Sequence, residues 1–255
     1  MKKILVMMYQ EGASGLNECR MGSNFALRRM VSDANTAIET FSELGAEVYV
    51  CDVYSKGRDI AEEELSFRAQ KVKLRDLETL LERGIDGVAM IGAHAKNGAA
   101  DAFYSYTVNE TAWHEYRLNG TVLGDIGVGS VYVGAFGVPV IALSGDKAAC
   151  EEACELLGNI PVAQVKTATK RNYAKGIPLE EAKNEIIKAC QKGYAEISNR
   201  TPLIFQSPYT ISITYNRVDY CDDSIHYNIG IAKRVSPLVS EKTIEKIRKY
   251  DDLRI

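Results

Sequence analysis

Two kinds of residue in this chain could do chemistry: isolated acids and histidines just past apolar runs, and tyrosines beside them. The apolar run Ile4 to Met8 stops abruptly at Tyr9-Gln10-Glu11-Gly12. A second ends in Asp52-Val53-Tyr54 and a third in Gly92-Ala93-His94. An acid or imidazole just beyond a buried strand can ligate a metal, hold a substrate or move a proton. Taken singly, each also has a plainer role: Glu11 as a solvated loop acid, His94 as a hydrogen-bonded strand-end histidine, Asp52 as a cap, the tyrosines as packing with a wet hydroxyl. Their joint placement at strand ends carries the functional reading. Cys150 and Cys154, four apart in "DKAACEEACELLG", could face one ligand across a helical turn, but small buried thiols in a core fit that pattern better.

The elements that must position these residues alternate. "KKILVMM" is of strand length. "NFALRRMVSDANTAIETFSELG" carries apolar residues at Phe25, Met30, Ala34, Ile38 and Phe41, a helical stripe closed by Gly45. "EVYVCDV", "DGVAMIGA" and "GVPVIALSG" read as further strands, with helices at "LRDLETLLERG" and "DKAACEEACELLGN". Asn119-Gly120 marks a hairpin, and "DIGVGSVYVGAFG" reads as a closely packed helix rather than a nucleotide loop. The expected fold is α/β, a doubly wound, mostly parallel sheet over residues 1–161, with a smaller α+β portion over 162–255 packed against it. In that portion "VAQVKTATKRN" and "PLIFQSPYTISITY" read as strands, "PLEEAKNEIIKACQKGYAEISN" as a helix and "SEKTIEKIRKYDDL" as a closing helix. Ligands of open parallel sheets bind beyond the carboxyl ends of the strands, so Tyr9, Glu11, Asp52, Tyr54 and His94 should converge.

Composition narrows the function. The 255 residues are 46% hydrophobic and 25% charged with net charge −3, enough for a sizeable core and without a basic face for nucleic acid. No run approaches the ~20 apolar residues of a membrane span. The opening "MKKILVMMY" is too short for a signal peptide and meets Gln10-Glu11 at once. Six cysteines without a C-x-x-C pair fit a reduced, cytoplasmic protein.

The ordered set "QEGASG", "VCDVYSK", "IGAHA", "NGTVLGDIGVGS", "VPVIALSGDKAA" and "VKTATKRN" resembles the D-aminopeptidase family of zinc peptidases, peptidase family M55. The likeness runs from residue 4 to about 190, and more weakly beyond. It implies a hydrolase of short peptides with an N-terminal D-residue, a two-zinc site held by five side chains, and a ring-shaped homo-oligomer, a decamer in the family's known form. Motif by motif, the resemblance places family ligands on Glu11, His94 and Asp125. The bridging aspartate falls on Tyr9 and a ligand histidine on Tyr54, while the catalytic histidine falls near Tyr104, with His114 the nearest alternative imidazole. A phenol titrates near ~10 and is a poor zinc ligand at neutral pH. A two-zinc centre is therefore not expected. Glu11, His94 and Asp125 would hold at most one zinc, with Tyr9, Tyr54 and Asp52 lining the place of a short peptide or small amide. The alternative is a non-catalytic relative that binds a small ligand in a tyrosine-lined pocket without metal.

Overall fold

Every side chain from Ile4 to Met8 is buried, so β1 (Lys3–Met8) needs cover on both faces. The computed structural model, which describes residues 1–53 and 64–255, supplies it. Leu5 and Met7 enter one apolar cluster, and Ile4, Val6 and Met8 the other. Helix α1 (Asn24–Glu43) covers the second face with Met30, Ala34, Ile38 and Phe41, and the Ser23 hydroxyl caps it by accepting from Ala26 N. Phe25, expected on this stripe, is exposed, and Ala26 takes the buried place in the first turn.

The chain continues through β2 (Glu47–Asp52), β3 (Ala69–Lys71), α2 (Leu77–Glu82), β4 (Gly87–Ala93), the hairpin β5 (Trp113–Leu118) and β6 (Thr121–Val122), and α3 (Asp125–Gly134). It then forms β7 (Val140–Asp146), α4 (Lys147–Leu157), β8 (Val162–Lys170), β9 (Tyr173–Gly176) and α5 (Leu179–Ala195). The last elements are β10 (Tyr209–Tyr215), α6 (Val218–Tyr227), β11 (Ala232–Ser236) and β12 (Val239–Ile244). Among the described residues, one sheet runs β3-β2-β1-β4-β7-β8-β9, parallel but for β9. From β1 the chain winds out to β2 and β3, and from β4 the other way to β7 and β8. This is the expected doubly wound α/β sheet, with its order reversing between β1 and β4. A second, antiparallel sheet runs β11-β12-β10-β5-β6. Its Trp113, Tyr116, Leu118, Ile211 and Ile213 join the cluster around Leu5 and Met7.

Sheet membership crosses the expected division at residue 161 in both directions. β8 and β9 complete the first sheet, and β5 and β6 belong to the second. The expected closing helix is absent: its first half is β12, paired with both β10 and β11, and its end is a short 3-10 turn, Tyr250–Leu253. The inward residues of β12 include Ser240 and Lys242, so no apolar alternation marks it as a strand.

Candidate functional site

The reversal of strand order puts the ends of β1 and β4 side by side, the place where doubly wound sheets bind ligands. Two glycines let the following loops interlock there. A Cβ on Gly12 would lie 1.9 Å from Ala93 O, and one on Gly92, whose φ is +78°, would lie 2.3 Å from Tyr9 O. Gly12 N donates to Gly92 O at 2.8 Å. The loop carrying Glu11 is thereby pressed against the strand end carrying His94.

Tyr9, Glu11 and His94 are all buried, at 3%, 0% and 2% exposure, and the Asp125 side chain is 13% exposed at the first position of α3. His94 Nδ1 lies 3.1 Å from Ala95 O; a carbonyl only accepts, so Nδ1 carries a hydrogen and Nε2 faces the cluster. Nε2 stands 3.7 Å from Asp125 Oδ2 and has no hydrogen-bond partner among the described residues. Burial alone would lower the His94 pKa, but the carboxylates of Glu11 and Asp125 outweigh it and raise it. Burial pushes the Glu11 carboxyl up, against the pull of His94 and a hydrogen bond from Tyr106. Burial also raises the Tyr9 phenol well above its ordinary range, so it is neutral, and its hydroxyl lacks a hydrogen-bond partner among the described residues.

Four residues that the sequence reading missed complete the site. Tyr106 donates its hydroxyl to Glu11 Oε1 at 2.7 Å and stacks its ring on His94, centroids 4.1 Å apart and planes 14° from parallel. Lys166, on β8 and 1% exposed, turns its Nζ to the carbonyls of Glu11, Ala13 and Leu16 at 2.6, 3.0 and 3.3 Å. On the other side of that loop, Asp33 accepts from Ser14 N and Oγ at 2.7 and 2.6 Å. Glu152, buried on α4, accepts from Lys96 N at 2.7 Å, two residues past His94. The only hint of Tyr106 in the sequence is its distance beyond the third motif; that of Lys166 is a lysine directly after Val165 in a strand-like run.

The expected residues divide. Glu11, His94, Asp125 and Tyr9 come together. The Tyr104 hydroxyl bonds Glu110, whereas that of Tyr106, two residues on, bonds Glu11. His114 is exposed on β5, where side chains alternate and its neighbour Trp113 takes the buried face. Asp52 ends β2, level with Met8 and partly buried. Tyr54 lies outside the described residues. Cys150 and Cys154 approach separate carbonyls, of Gly145 and Ile160, as packed thiols.

These donors do not fit two zinc ions, because the buried, neutral phenol of Tyr9 is a poor zinc ligand. As the side chains stand, among the described residues no three of His, Cys, Asp and Glu lie close enough to share a metal ion. His94 Nε2 and Asp125 Oδ2 face each other, while Glu11 is engaged by Tyr106.

Comparison with known proteins agrees with the fold. The solved structure of the Zn-dependent D-aminopeptidase DppA from Bacillus subtilis, a self-compartmentalizing protease, superposes with a TM-score of 0.87 over 99% of this chain and 95% of that one. At 20% identity that likeness is one of fold. The D-aminopeptidase of Bacillus subtilis (strain 168) is 28% identical over 184 residues, 68% of this chain and 66% of that protein's length. The pattern of the peptidase family described as D-aminopeptidase matches residues 3–245, nearly the whole chain. With that match added to the shared architecture, the chain belongs to the D-aminopeptidase family.

Proposed function

We propose that this protein is an aminopeptidase-like hydrolase of short peptides or small amides, with a metal site reduced to at most one zinc. The observation that supports it is His94: buried, oriented from Nδ1 by Ala95 O, and presenting an unpartnered Nε2 beside Asp125. A ring nitrogen fixed from behind by a carbonyl is the posture of a metal-ligating or proton-moving histidine. Amide hydrolysis needs a proton acceptor and a donor to the carbonyl oxygen. The neutral hydroxyl of Tyr9, without a hydrogen-bond partner among the described residues, would donate to that oxygen. A zinc held by Glu11, His94 and Asp125, once Glu11 is released from Tyr106, would supply Lewis acidity there. The self-compartmentalizing neighbour supports a homo-oligomer, the ring that the family resemblance implies, as the working form, and six free cysteines support a cytoplasmic setting. Among the described residues no helix is long and apolar enough to cross a membrane.

Two points favour a second reading, a relative that binds a small ligand without metal: Tyr106 already fills Glu11, and on the motif match Tyr9 replaces an acid. Turnover of D-alanyl dipeptides separates the two. Hydrolysis that is lost on chelation and regained with one zinc per chain supports the hydrolase. No turnover, together with a small molecule retained on native mass spectrometry, supports the binder.

A further inference from the structure

The four residues Ser105 to Val108 touch all three expected metal donors. The Tyr106 hydroxyl bonds Glu11 Oε1 at 2.7 Å, and its ring covers the face of His94. Val108 N donates to Asp125 Oδ2 at 2.8 Å. Other bonds pin the stretch: Arg171 Nη1 donates to Ser105 Oγ at 3.1 Å, and Asn97 N to Thr107 Oγ1 at 3.2 Å. Ser105 and Thr107 are buried, at 2% and 1% exposure. Val108 is held at φ +54°, a left-handed conformation that a β-branched residue avoids unless its surroundings impose it. A segment held this way is fitted to the site, not draped beside it.

We infer that this stretch is a strap that takes the place of a cation, with Tyr106 as the positioning residue that withholds Glu11 from the metal. Its hydroxyl and the Val108 amide donate hydrogen bonds to two carboxylates that a divalent ion would otherwise neutralise. Zinc can gather Glu11, His94 and Asp125 only when the strap gives way, so zinc and strap compete for the same oxygens. The inference rests on the reading of these three residues as the metal donors. It adds the residue that governs their loading.

The strap and a bound ion make opposite demands, and zinc affinity reads the difference. Full-length wild type and Tyr106→Phe, each stripped of metal, are titrated with zinc against a chromophoric chelator. Phenylalanine keeps the stacked ring and removes the hydroxyl. Losing a hydrogen bond to a charged group should tighten zinc binding about tenfold or more. Equal or weaker binding by the variant overturns the inference, since the hydroxyl would then support the metal site rather than oppose it. Failure of both proteins to bind zinc overturns it too. Wild type alone offers an independent check should the variant not fold. Bound zinc should speed amide exchange at Val108, whose N–H loses Asp125, and unchanged exchange in zinc-loaded protein contradicts the strap. Dipeptide turnover keeps the two ideas apart. Tighter zinc without hydrolysis sustains the strap and removes the hydrolase, whereas zinc-dependent hydrolysis without tightening does the reverse.

Discussion

Nε2 of His94 stands 3.7 Å from Oδ2 of Asp125, too far for a hydrogen bond and near enough for the carboxylate to favour a charged imidazole. The two lie on different elements, His94 just past β4 and Asp125 opening α3. Glu11 and Asp125 raise the His94 pKa against a burial that would lower it. Asp125→Asn removes one of these carboxylates. The imidazole should then titrate about one unit lower or more, read from its ring carbon shifts by NMR. An unchanged titration would mean that Asp125 does not act on His94.

Lys166 shapes the loop that carries Glu11. Lys166→Met leaves the carbonyls of Glu11, Ala13 and Leu16 without their donor and should cost about 2–3 kcal/mol in urea unfolding at pH 9. The pH dependence carries a separate signature. Burial lowers the folded pKa of Lys166 from 10.5 to about 7. Between those values the unfolded chain binds more protons than the folded one, so stability rises with pH. The burial penalty is complete below about 7 and is gone above 10.5. Relative to Lys166→Met, wild type should therefore gain roughly 1 kcal/mol per pH unit across this window. Parallel stability curves for the two proteins would show that Lys166 does not titrate there.

Glu152 works in the opposite sense. Burial raises its folded pKa, and one carboxylate oxygen has no hydrogen-bond partner among the described residues. Above the ordinary carboxylate range the folded state holds the proton more tightly than the unfolded one, so this group's contribution to stability falls as pH rises. Glu152→Gln keeps an acceptor for Lys96 N and removes the charge. Thermal unfolding should show it stabilised by about 1 kcal/mol at pH 7 and little changed near pH 4. Destabilisation at pH 7 would show that the charge is needed where it lies.

On the proposed motif match, Tyr9 and Tyr54 take the positions of a family acid and imidazole. Tyr9→Asp alone puts another carboxylate at a site 3% exposed and should destabilise the metal-free protein by about 2–4 kcal/mol. With Tyr54→His added, zinc occupancy should exceed that of either single change. A bridging carboxylate is of little use without the second ion's own imidazole, so the effects should be non-additive. Additive occupancies in zinc titrations would argue against a shared two-ion site.

Most of the first sheet was legible because its signals are local. β1, β2, β4 and β7 are apolar runs of strand length, and α1, α4 and α5 carry helical stripes. The strand-end rule then brought Glu11 and His94 together, and the motif order added Asp125. What was not legible depends on partners. β12 hides its inward face behind Ser240 and Lys242, made tolerable by the Tyr215 hydroxyl, 2.9 Å from Ser240, and by the Arg254 carbonyl that Lys242 reaches. α6 buries only Cys221, so no stripe announces it. Tyr106 sits in a loop without periodicity, and only its bonds to Glu11 and His94 distinguish it from Tyr104.

The central claim is that this member of the family does not hold the two-zinc centre. Elemental analysis of protein purified without chelator or affinity metal tests it most directly. The account predicts no more than one zinc per chain, and that one removable by mild chelation. Two tightly bound zinc ions per chain, at the ends of β1 and β4, would contradict it.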